Sequence, residues 1–223
     1  GLPNGATQRL GNFTDVNVTI QVNSNIRIDI LDSNIIADTN FILEGQVTDL
    51  AGADLVDPVL VEVFWLGNPD EKLISNVQTL SNGTFNLSVP TDTSGNGTER
   101  GSQTVVISVI ENSSEFYLTS TANQVVNVMG VTEFGILIPF NQLTITRGND
   151  LDLSSRLVES SNLDDPLSGL DVSVMFDQTP IGFETTNAGG WANFTHNIPL
   201  SQNLGPIVIT FSYAGSSDLL PTE

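Results

Sequence analysis

The residues best suited to chemistry in this chain are carboxylates. Asp49, Asp54 and Asp57 fall in one polar loop, DLAGADLVDP, and Asp164 and Asp165 fall in the corresponding loop about 110 residues later. Asn149, Asp150 and Asp152 make a third oxygen-rich group. Hard oxygen donors between strands or at a domain junction suit Ca²⁺, the one cofactor these loops could hold, although no EF-hand spacing is present. The single histidine, His196, has no nucleophile elbow or recognisable partner around it, so it reads as a structural or surface residue. No His/Cys set can hold zinc, and no glycine-rich phosphate loop exists. The chain therefore reads as non-catalytic. A second kind of chemistry is modification. Asn12, Asn17, Asn82, Asn86, Asn96, Asn112 and Asn193 each begin an Asn-x-Ser/Thr triplet, an N-glycan acceptor in an exported protein.

Charge narrows the partners. Twenty-six acidic residues against six Lys and Arg give a net charge of −20. Nucleic acid needs a basic face, so it is excluded as a partner, and an anionic membrane surface is disfavoured. No apolar run is long enough to span a bilayer. Without cysteine there is neither a disulfide framework nor thiol chemistry.

The elements that position these residues are short strands. Thr79–Pro90, TLSNGTFNLSVP, reads as a hairpin turn at Asn82-Gly83 followed by a strand with Phe85, Leu87 and Val89 on one face, stopped by Pro90. Thr186–Pro199, TNAGGWANFTHNIP, repeats that punctuation, and an apolar strand follows each copy: Thr104–Ile110 and Ile207–Tyr213. Such a repeat implies two units of about a hundred residues. Turn signals every eight to twelve residues, with no helical periodicity, predict an all-β chain of two tandem Ig-like antiparallel β-sandwiches. Trp65, Trp191, Phe64, Phe85 and Phe176 read as core. The units run from 25 to 130 and from 131 to 223. In the second, Phe134–Phe140 and Gln142–Thr146 are predicted strands, and 160–169 is a loop.

Residues 1–24 read as a loop and an orphan strand that completes a neighbouring Ig-like unit. In Asp15–Val22, DVNVTIQV, one face carries Val16, Val18, Ile20 and Val22. It is similar to Gln124–Met129, which closes the first unit. The second unit shows no counterpart of that closing strand. Three arrangements fit: one period of a longer array, subunits that each donate 15–22 to the open edge of a neighbour, or an edge left open. The expected partners are copies of the chain or adjacent repeats, together with N-linked glycans.

The stretches FILEGQVTD…TLSNGTFNLSVP…TVVISV and LSGLDVSVMF…TTNAGGWANFTHNIP…YAGSSDLLP resemble the prokaryotic Ig-like and carboxypeptidase-regulatory-like repeats of cell-surface proteins. The acidic, sequon-rich composition resembles archaeal surface proteins. The resemblance implies an extracellular, cell-surface location and a structural role in an S-layer or filament. An adhesin or carbohydrate-binding repeat, or an accessory segment of a secreted hydrolase, are the alternatives it leaves open.

Overall fold

A computed structural model describes residues 23–30, 33–54, 57–91, 99–110, 118–138, 144–160 and 162–223. Among them lie fifteen strands and no helix. In the first sandwich, β1 (Ser24–Ile30), β3 (Asn40–Asp49) and β6 (Thr84–Pro90) form one sheet. The facing sheet has the order β2-β8-β7-β4-β5, from β2 (Asn34–Ile36), β8 (Ser120–Met129), β7 (Gly101–Val109), β4 (Leu60–Trp65) and β5 (Lys72–Gln78). Their inward faces enclose a core that includes Leu43, Val47, Val61, Val63, Ile107 and Val128. Alternation explains this burial, because successive side chains of a strand point to opposite faces.

The second sandwich repeats the plan with fewer strands. β10 (Asp150–Glu159) pairs with β9 (Thr132–Ile138), β14 (Trp191–Asn197) and β11 (Asn162–Pro166). The facing sheet is β13 (Thr179–Thr185), β12 (Asp171–Phe176) and β15 (Ile209–Tyr213) in that order. Leu151, Leu153, Leu157, Val172, Val174 and Phe211 are among its core residues.

The recurring Thr…Gly punctuation has the same physical cause in both units. Thr79 Oγ1 accepts from Val59 N at 3.0 Å while Thr79 N donates to Val59 O. Thr186 and Leu170 make the identical pair of bonds. Gly83 (φ 79°) and Gly190 (φ 76°) then offer their carbonyls to Val47 N and Leu157 N. These bonds carry the chain from one sheet to the other. The expected hairpin is therefore corrected: β5 pairs with β4 and β6 with β3, so the turn joins opposing sheets rather than neighbouring strands. Of the Asn82-Gly83 pair only Gly83 has positive φ. Two further expectations change. Residues 162–166 of the expected loop form β11, which folds back on β10. Residues 144–146, expected as strand, are in no ladder.

Core volume is shared between facing positions. The Phe85 ring lies over Gly45, where an added Cβ would collide with the ring and with the Arg27 carbonyl. The corresponding pair in the second unit is Ser155 and Ala192, small opposite small. Gly45→Ala should cost about 1–3 kcal/mol by overpacking, read as a lowered unfolding midpoint. Adding Phe85→Ala should cost less than the sum of the single changes.

Candidate functional site

The strand order shows where the two sandwiches differ. In the first, β8 covers the outer edge of β7 along nine residue pairs, from Gly101↔Val128 to Val109↔Ser120. Its inward Val126 and Val128 are 1% and 0% exposed. On its far side β8 pairs in parallel with β2, Asn34↔Asn127 to Ile36↔Met129. In the second unit, among the described residues, β15 pairs along its length only with β12. Its outer edge has a single bridge, Tyr213 with Thr222.

Ladder geometry fixes which backbone groups this leaves. Tyr213 N and O both bond Thr222, so Tyr213 faces outward, and with period two Phe211 and Ile209 face outward as well. Ser212 and Thr210 face β12. Beneath this edge opens a cleft of about 1240 Å³, lined by core side chains such as Leu151, Leu153, Phe176, Ile198 and Phe211. Leu137, Ile145, Leu204 and Ile207 also line it. Leu204 is 86% exposed and Val208 70%. Ile209 is half-buried, whereas Val105, its counterpart in β7, is fully buried. Arg147 also lines the cleft, and its buried Nε has no hydrogen-bond partner among the described residues.

Residues 144–146 stand 110 positions after β2, the offset that relates β3 to β10. They are the counterpart of the strand that pairs with β8. Among the described residues no strand lies beside them, and 144–146 of the expected strand at 142–146 are in no ladder; 142–143 lie outside the described residues. Thr144, Ile145 and Arg147 were not singled out by sequence reasoning; the shared spacing from β2 was the available signal.

The sequence-derived site residues are placed as follows. Val16, Val18, Ile20 and Val22 lie outside the described residues, as do Asn12, Asn17, Asn96 and Asn112. Asn82, Asn86 and Asn193 are exposed. Asn86 and Asn193 occupy equivalent outward positions on β6 and β14, opposite Glu44 and Ser154, to which they hydrogen-bond at 2.6 and 2.8 Å. Asp49 Oδ1 accepts from Ala53 N at 2.8 Å and closes its own turn. Asp54 accepts from Gln46 at 2.9 Å, and Asp57 is exposed. Asp164 and Asp165 lie in β11. Among the described residues no three Asp, Glu, His or Cys side chains converge. The His196 ring packs on Phe176 at 4.8 Å.

The junction between the units is short and bonded. Gly130 N donates to Asp218 O, Leu220 N donates to Gly130 O, and Thr132 Oγ1 donates to Leu220 O at 2.8 Å. A Cβ at Gly130 would meet Arg100, Glu159 and Leu219. Glu159, 13% exposed, lies 3.8 Å from Arg100. Burial pushes its carboxyl up from the ordinary value of 4.5; Arg100 opposes this, and Asp165, Asp38 and Asp218 add to it.

No family model matches the chain, and no curated protein does. Solved structures with similar strand arrangements include fibronectin(III)-like modules of Clostridium thermocellum CbhA, at 14% identity and a TM-score of 0.29, covering 89% of this chain and 90% of that one. The tetra-tandem repeat of the extending region of a large adhesion protein is 14% identical with a TM-score of 0.36, covering 86% and 45%. The human OSCAR ligand-binding domain is 11% identical with a TM-score of 0.28, covering 92% and 96%. The Ig-like β-sandwich fold rests on the strand order itself.

Because the folded carboxyl of Glu159 titrates above its unfolded value, its ionised form costs stability above that range, and the cost fades as pH falls through it. Glu159→Gln should raise the unfolding midpoint at pH 7–8, and the gain should vanish as pH drops below about 4.5, checked by thermal melts across pH.

Proposed function

We propose that this chain is a non-catalytic structural module of an extracellular surface layer or filament, assembled by donation of residues 15–22 to the open edge of a neighbouring copy. One observation carries the reading: the same sandwich occurs twice, closed by β8 in the first unit and, among the described residues, left with an open edge beside a cleft in the second. A sheet edge with unpaired backbone groups beside a cleft is a template for an added strand, which supplies hydrogen bonds and fills pockets with alternate side chains. The segment 15–22 has that alternation. Each apolar side chain it buries contributes about 1.5–3 kcal/mol, and three or four of them suffice for a stable joint.

Surface location is supported by the sequons at equivalent outward positions of β6 and β14, where N-glycans would clear both the core and the cleft. The acidic surface keeps such an array soluble and attracts cations. The occupants of the carboxylate loops, Ca²⁺ included, are secondary to this role.

Purified protein should migrate as a ladder in SDS without boiling and as one band near 23.8 kDa after boiling. Val18→Asp with Ile20→Asp should abolish the ladder, with both units still folded by circular dichroism. A wild-type chain that is monomeric at all concentrations contradicts the reading.

A further inference from the structure

We infer that the cleft of the second unit takes residues 14–20 of a second copy in one register, with Val18 opposite Ile207 and Ile20 opposite Gly205, while Thr222 keeps the edge of Tyr213, so that every joint between copies repeats the joint between the two units of one chain. This rests on the donated-strand reading and adds its register and polarity.

The register comes from two offsets. β1 and β9 are equivalent first strands: Ser24 pairs with Asp49, and Thr132 with Glu159. Val126 and Val128 stand six and four residues before Thr132, and Val18 and Ile20 stand six and four residues before Ser24. On the acceptor side, Val61↔Val109 corresponds to Val172↔Tyr213, and Trp65↔Val105 to Phe176↔Ile209, which sets 205–213 on 101–109. Gly101 and Gly205 then coincide, both with positive φ, 89° and 138°. Leu66 N bonds Thr104 O just as Asp177 N bonds Val208 O. Transferring the β7–β8 pairs gives Ile20↔Gly205, Val18↔Ile207, Asn17↔Val208 and Val16↔Ile209.

This register sorts the donor by face. Val16, Val18 and Ile20 enter the cleft; Asp15, Asn17, Thr19 and Gln21 stay in solvent. The β2–β8 pairs transfer to Thr144↔Thr19 and Ile145↔Ile20, so the donor lies between β15 and 144–146 and pairs with both. Three features find a use: the outward groups of Ile209 and Phe211, the unladdered 144–146, and the Arg147 Nε, unpartnered among the described residues, beside an incoming backbone.

The donor cannot come from the same chain. Ser24 Oγ lies 2.6 Å from Ser120 Oγ at the start of β8, while Gly130, just past its end, marks the junction. Ten strand residues separate those poles by about 33 Å, and residue 22 reaches only about 7 Å from Ser24. The cleft lies beyond the junction, with Tyr213 near it and Gly205 at the far pole. The contact is therefore heterologous and head-to-tail, and it propagates as a thread instead of closing on itself.

The absence of native cysteine makes a disulfide test clean. Position 17 faces position 208 at a site without direct ladder bonds, the spacing that suits a cross-strand disulfide. Full-length Asn17→Cys and Val208→Cys proteins would be mixed and oxidised, alongside Thr19→Cys with Val208→Cys as the two-residue shift. The register predicts a 17–208 linked dimer, mapped by mass spectrometry, at least tenfold above the 19–208 product. Ladders with equal yields, or with 19–208 dominant, overturn the register while leaving strand donation standing. Ladders with neither link overturn residues 15–22 as the occupant. Monomers alone, without links, overturn both the register and the assembly reading.

Discussion

Every backbone N–H and C=O taken out of water needs a partner; β8 ladders the whole outer edge of β7, whereas among the described residues the outer edge of β15 has a single bridge. The two strands are the same element of the same sandwich. One is flanked by β4 and β8, the other by β12 alone over most of its length. Among the described residues no strand lies outside β15, and 205–208 and 144–146 stay out of any ladder. A single open row of hydrogen bonds thus goes with the cleft and with the irregular segment before β10.

The two units are otherwise close copies, and the copying is enforced by a few bonds. A threonine hydroxyl that caps the start of β4, or of β12 in the second unit, and a positive-φ glycine four residues on together set the passage between sheets. Cores built on this frame trade volume locally, as Phe85 over Gly45 and Ala192 against Ser155 show. The junction at Gly130 is equally economical: two backbone bonds and a packed Leu219 leave no room for a side chain there. Such a connection favours a stiff series of modules over beads on a flexible string.

Much of this was legible in the sequence. Alternation at Phe85, Leu87 and Val89 gave strand and face together, because a period of two admits no other reading. The repeat of Thr, Gly, aromatic and Pro located both units. What stayed hidden was which strands pair. A turn between strands of opposing sheets uses the same glycine chemistry as a hairpin, so Thr79–Pro90 looked like one. Residues 144–146 looked like strand because propensity is local, whereas pairing depends on a partner elsewhere. Likewise the carboxylates of Asp49 and Asp54 bond Ala53 N and Gln46 instead of converging, and spacing alone does not reveal that.

Among the described residues the outward backbone groups of Ile209 and Phe211 on β15 are in no ladder, and in the proposed assembly they are paired. Amide hydrogen exchange at Ile209 and Phe211 reads this directly, with Val105 and Ile107 of β7 as internal controls. The account predicts fast exchange at Ile209 and Phe211 in dilute monomer, slow exchange at both after assembly, and protection of Val105 and Ile107 throughout. Equal protection of all four amides in the monomer would contradict it.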